Sequence, residues 1–173
     1  MLDLLYRQLF HPLEAPPSRD VAALVLGVLL LVMTFNAAAS FQLPASALSP
    51  VLIVFAIGGF LGLFWFSAAL FTLSSLFGGE CEFQALLPAV LVGLWPLIFS
   101  GAAISAQRDM PMLGALFSLA ILLGTFITLS RSLAAVQDVR PLNALILILV
   151  AMSLSVLAAA GVVLWPLMLL VGL

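Results

Sequence analysis

Five long stretches of the sequence carry no charge at all: Val21–Phe41, Val51–Phe77, Leu86–Ala106, Met112–Ser130 and Leu142–Trp165. None of them contains Asp, Glu, Lys, Arg or His. Every charged residue lies outside, at positions 3, 7, 14, 19, 20, 80, 82, 108, 109, 131, 138 and 140. A hydrocarbon core about 30 Å thick takes about 20 apolar helical residues to cross. A charge at its centre costs roughly 2.5–3.5 kcal/mol on the insertion scale. The partition therefore reads as five membrane spans joined by short polar links. A span surrounded by lipid must pair its N–H and C=O groups within itself, which dictates helix. The apolar–polar alternation of a barrel is absent. Composition agrees. Of 173 residues, 65% are hydrophobic and 7% charged, against roughly 25% charged in a soluble domain. The fold class expected is an all-α integral membrane protein, a bundle of five transmembrane helices.

Residues 1–20 form a separate segment ahead of the membrane domain at 21–173. Leu2, Leu5, Tyr6, Leu9, Phe10 and Leu13 recur at helical spacing, with Asp3, Arg7 and Gln8 between them. This is the pattern of a short amphipathic helix, either lying in the membrane surface or packed on the end of the bundle. Pro12, Pro16 and Pro17 stop it, and Ser18 is placed to cap the first span. Ala37-Ala38-Ala39 has the look of a signal-peptide cleavage site, but the long, mixed-charge stretch before it does not fit one, so the first span is expected to be retained.

The links set the topology. Gln42–Pro50 is uncharged, Gly78–Ala85 carries Glu80 and Glu82, Gln107–Pro111 is a tight turn, and Arg131–Pro141 holds three charges. With five spans, Arg7, Arg19, Arg131 and Arg140 share one side and Arg108 stands alone on the other. The excess places the N-terminus in the cytoplasm and the C-terminus on the opposite side, as in a bacterial inner membrane or a related organelle membrane. A net charge of −2 and the absence of Lys exclude a nucleic-acid footprint and a polybasic lipid-binding segment. The stretch from Leu142 to Leu173 would be about 48 Å long as one helix, so Pro166 is expected to kink or end the last span. Leu-Trp-Pro-Leu occurs at 94–97 and again at 164–167 without any wider repeat.

Reactive groups are few. One His (His11) and one Cys (Cys81) cannot assemble a metal site, a catalytic triad or a disulfide, and no phosphate-binding Gly-Lys motif is present. No enzyme and no cofactor are expected. Glu80 and Glu82 flank Cys81 and read as a contact for a partner or a metal on the cytoplasmic face, or as a solvated loop at a helix N-terminus. Asn36 and Asn143 read as substrate contacts or as interhelical hydrogen bonds worth about 0.6 kcal/mol each. Small residues recur at four-residue spacing: Gly58 and Gly62, Gly114 and Ser118, Ala120 and Gly124, Ala102 and Ala106, Ser155 and Ala159. They let helix backbones approach in lipid, within the bundle or at a seam with another chain. Pro96, midway through the third span, predicts a kink and a freed carbonyl that a neighbour must satisfy. Trp65 and Trp95 fall mid-span, so the tryptophans form no single interfacial belt.

The stretch Leu73–Ala102, LSSLFGGECEFQALLPAVLVGLWPLIFSGA, resembles the core of the Yip family of five-span, Rab-interacting-type membrane proteins. The residues that carry the likeness are Gly78, Gly79, Phe83, Gly93 and Pro96. Trp65 in the second span, and the link VRPLNALILIL with Ala144, extend it. The resemblance implies five spans and a cytoplasmic N-terminus. The family's eukaryotic N-terminal region and Asp-Leu-Tyr-Gly-Pro-type motif are missing, so the chain resembles a compact prokaryotic-type member and GTPase binding is not carried over. The expected role is to organise, assemble or assist other membrane proteins through helix–helix contacts, with self-association as a further mode. The alternative is a small oligomeric transporter or channel for a neutral solute, its path lined by Ser67, Thr72, Ser100, Ser105, Ser118, Thr125 and Thr128.

Overall fold

A computed structural model of the chain describes residues 2–13, 15–75 and 82–171, with side chains throughout except at 2–4, 159 and 161–171. Among the described residues every regular element is helical. The order is α1 (Leu2–Phe10), α2 (Arg19–Phe41), a 3₁₀ turn (Ala45–Ala47), α3 (Leu48–Ser74), α4 (Phe83–Gly93), a 3₁₀ segment (Trp95–Phe99), α5 (Ser100–Asp109), α6 (Pro111–Gln137) and α7 (Pro141–Val171). The α4–3₁₀–α5 run forms one span, giving five helices long and apolar enough to cross a membrane. This is the all-α bundle that the charge-free blocks require.

The spans outrun those blocks at several ends. The link expected over 131–141 shrinks to 138–140, because α6 continues to Gln137 and carries Arg131 within its last turns. Absence of charge marks where hydrocarbon ends, whereas the helix persists beyond it, with Arg131 exposed and Ser132 and Gln137 buried. Asp138 then ends α6 in the left-handed conformation (φ 52°, ψ 36°). Similarly, α7 runs through Pro166 to Val171, so the expected end at Pro166 does not occur. Proline removes one donor and crowds one carbonyl, a defect a membrane helix absorbs by local adjustment. Ser18 does cap α2: its backbone is extended (φ −98°, ψ 157°) and its hydroxyl accepts from Val21 N–H at 3.4 Å.

Burial centres on the first half of the third span, α4. In α4, Leu86 and every residue from Pro88 to Gly93 are buried. One side of α4 meets Leu70 of α3, Leu133 of α6 and Leu147 and Ile148 of α7. The other side meets Val21, Val25 and Leu29 of α2. Polar ties at the two ends fix the direction of the spans. Arg19 at the start of α2 donates to Gln84 at the start of α4 (2.9 Å). Arg108 near the end of α5 donates to the Ala39 carbonyl near the end of α2 (3.3 Å). The first and third spans therefore run parallel.

The N-terminal helix α1 packs on this bundle. Leu5 and Leu9 join the α2–α4 cluster, and Phe10 lies edge-on to Trp95, with ring centroids 5.0 Å apart. Tyr6 and Leu13 remain exposed. Gln8 holds the linker: its amide donates to Pro16 O (2.8 Å), and its carbonyl accepts from both Ser18 N–H (3.1 Å) and Ser18 Oγ (2.9 Å).

Candidate functional site

The third span is interrupted at Pro96, and the interruption gathers most of the features singled out in the sequence. Pro96 has no N–H, and Leu97 N–H donates to Leu94 O at 3.0 Å in a 3₁₀ bond. The Gly93 carbonyl loses its ordinary α-helical donor. Thr128 of α6 replaces it: its hydroxyl lies 2.6 Å from Gly93 O, with its own-helix carbonyls at Gly124 (2.9 Å) and Thr125 (3.2 Å) further off. The freed carbonyl expected at Pro96 thus exists, and its partner is a threonine one helix away. Gly93 is what allows the approach. A Cβ built on it would sit 2.6 Å from Leu129 Cα, closer than real atoms come.

Beside the break lies an apolar cavity of about 560 Å³ bordered by Gly62, Trp65, Leu94, Leu97, Leu122 and Met152, among others. It spans α3, the third span, α6 and α7. Thr125 and Ser155 also border it, but their hydroxyls donate back to Ile121 O and Ala151 O at 2.8 Å each, so neither offers a free proton to the cavity.

The remaining predicted residues separate. Gly78, Gly79, Glu80 and Cys81 lie outside the described residues. Glu82 is the exposed N-cap residue of α4, where an acid suits the helix dipole. Phe83 packs edge-on to Phe64 (5.4 Å) and Phe71 (5.9 Å) of α3. Ala144 is fully buried in the α3–α4–α6–α7 core. Trp65 is 56% exposed on the outside of α3. Asn36 makes an interhelical hydrogen bond, donating to Ser100 Oγ at 3.2 Å.

The small-residue pairs behave in two opposite ways. Gly114 is a contact glycine: a Cβ there would fall 2.4 Å from Gln107 Cα and N, so the α5–α6 turn closes only without a side chain. Ser118, one turn on, returns its proton to Gly114 O at 2.9 Å. By contrast, a Cβ on Gly58, Gly59 or Gly62 would meet nothing within 4 Å. No residue in the most apolar window of their span is buried. For Gly58 and Gly62, expected to pack either within the bundle or at a seam with another chain, the described residues supply no close neighbour, and Gly62 borders the cavity.

Of the hydroxyl residues expected to line a path, Ser100 and Ser118 border one small cavity of about 190 Å³, and the others lie apart from it. Ser67 is buried, Thr72 and Ser105 are exposed, Ser100 accepts from Asn36, and Thr128 serves Gly93. Among the described residues no three His, Cys, Asp or Glu side chains come together. The roles of two residues escape the sequence reading, in which Thr128 is only a path-lining hydroxyl. Thr128 looks like any span threonine until Pro96 supplies it with a carbonyl. Gln137, only 1% exposed with neither amide atom hydrogen-bonded, sits at a helix end where a polar residue reads as solvated. No family model matches the chain, and the search found no significant match among curated proteins or solved structures.

Proposed function

We propose that the chain is a non-enzymatic, multi-pass membrane protein of the Yip type that organises or assists other membrane proteins through helix–helix contacts. The observation that carries this reading is the glycine face of α3. Among the described side chains, none lies within 4 Å of a Cβ placed on Gly58, Gly59 or Gly62, on a span with no buried residue in its most apolar window. In lipid, association depends on close backbone approach and dispersion rather than on water exclusion. A glycine face with no described neighbour is suited to receive a helix from another chain.

Purification from native membranes in mild detergent, followed by mass spectrometry of the cross-linked species, tests the reading. The intact protein should carry specific partner membrane proteins or a second copy of itself. The double variant Gly58→Leu/Gly62→Leu should lose them, and a melting curve reports separately that it remains folded, as expected where a Cβ meets no described neighbour within 4 Å. Recovery of the same species with both proteins would remove the basis for the proposal.

A further inference from the structure

The length and charges of α6 locate the bilayer. Between Pro111 and Arg131 the helix rises about 30 Å, the thickness of a hydrocarbon core. Arg108 and Asp109 flank one end of that stretch and Arg131 closes the other, with no charge between them. Arg131 is also the last exposed residue of α6. Ala120, Leu123 and Ile127 lead up to it as an exposed stripe at helical spacing, and residues 132–137 beyond it are buried or half-buried.

Register fixes where this arginine stands. The third and fourth spans run antiparallel, with Gly124 beside Pro96 and Thr128 bonded to Gly93. Arg131 is three residues past Thr128, and Gln84 is nine residues from Gly93 in the same direction. Arg131 therefore lies about 9 Å deeper than the bond between Arg19 and Gln84. The N-terminal helix reaches the same level. Leu5 and Leu9 pack against the cluster that includes Leu91 and Val92, while Tyr6, Phe10 and Leu13 stay exposed. Exposed apolar side chains at that depth suit the boundary between acyl chains and headgroups.

Arg19 and Arg108 each donate to a group within the chain. Arg131 does not: it makes no hydrogen bond or ion pair with any described residue. A guanidinium at the edge of hydrocarbon needs an anion, and its planar fork matches a phosphate. Its stem can lie among acyl chains while the charge reaches outward. We infer that Arg131 binds an anionic phospholipid: the guanidinium takes the headgroup phosphate, and an acyl chain lies along Ile127, Leu123 and Ala120. From Arg131 to Ala120 the helix rises about 16 Å, one leaflet's share of the core. A net-negative headgroup is preferred because a zwitterionic one brings its own cation to the same place.

The full chain, reconstituted in vesicles of equal parts phosphatidylglycerol and phosphatidylcholine with matched chains, is extracted in mild detergent. Native mass spectrometry then counts the lipids it retains. The unaltered chain should keep phosphatidylglycerol over phosphatidylcholine by about fivefold. Arg131→Gln should bring the ratio to about one, while Arg131→Lys, which retains the charge, should keep most of the preference. Arg140→Gln, at an exposed arginine in the link before α7, should leave the ratio unchanged. Inorganic phosphate in the extraction buffer should displace nothing, since it has no chain to lie on the stripe. Equal retention of the two lipids by the unaltered chain would overturn the site. So would an unchanged preference in Arg131→Gln, an equal loss in Arg140→Gln, or displacement by free phosphate. Melting curves of each variant report separately whether it is folded.

Discussion

A glycine in a membrane helix has two meanings, and this chain holds both. At Gly93 the missing side chain is filled by Leu129, so Gly93→Ala should overpack the centre of the bundle and cost about 1–3 kcal/mol. At Gly58 or Gly62 there is no neighbour to displace. Alanine there should be neutral or should stabilise by up to about 1 kcal/mol through helix propensity. Equilibrium unfolding in detergent micelles, with both substitutions in one series, measures the contrast; equal costs would contradict the assigned packing. Gln137 poses the opposite case. Its amide is buried and unpaired, and such a group carries a desolvation penalty of about 1–3 kcal/mol. Gln137→Met keeps the unbranched shape and removes the penalty, so the same assay should show a gain of about 1 kcal/mol or more.

Among the elements, α1 is held through polar contacts of its linker. Gln8 makes three hydrogen bonds to Pro16 and Ser18 and is 4% exposed. Together these turn the Pro-rich linker back so that Leu5 and Leu9 reach α2 and α4. Gln8→Ala should release the helix at a cost of roughly 1–3 kcal/mol, read as faster amide exchange over residues 5–13 while α4 keeps its protection. The elements also show how far the sequence could be read. Spans, the Ser18 cap, the amphipathic period of α1 and the break at Pro96 were all legible, because each is written in local residue type: charge, hydroxyl, spacing, proline. Which faces meet was not legible. Each span is apolar on nearly every side, so no stripe distinguishes core from lipid. Gly58-x-x-x-Gly62 carried the most recognisable spacing and meets no described neighbour, while Gly114, from a looser pair, and Gly93, outside any Gly-x-x-x-Gly, both proved to be close contacts. The ends of α6 and α7 were misjudged for a related reason. Arg131 signals the limit of hydrocarbon and Pro166 the loss of one donor, and neither ends its helix.

At the scale of the whole molecule, the alternation of the spans is marked by contacts at both rims, Arg19 with Gln84 and Arg108 with Ala39. These establish which ends lie together. Which rim faces the cytoplasm depends on the arginine count, four on the side of Arg19 against Arg108 alone, through the preference for retaining Lys and Arg inside. Four substitutions at exposed positions test this without touching the core: Arg19→Gln and Arg140→Gln remove two charges from one rim, and Ser46→Arg and Ser49→Arg add two to the other. The balance then reverses. Labelling of a single cysteine placed at Asp138, in a Cys81→Ser background, with a membrane-impermeant maleimide reports the side. In the parent, the cysteine should react only after the membrane is opened. In the fourfold variant, a large share should react in intact cells. The loss of the Arg19–Gln84 bond does not confuse the readout, since a surface contact of this kind is worth little and a misfolded chain would be degraded rather than inverted. Unchanged protection in the variant would mean that orientation is set by the packing of α1 and the first span and not by the arginines.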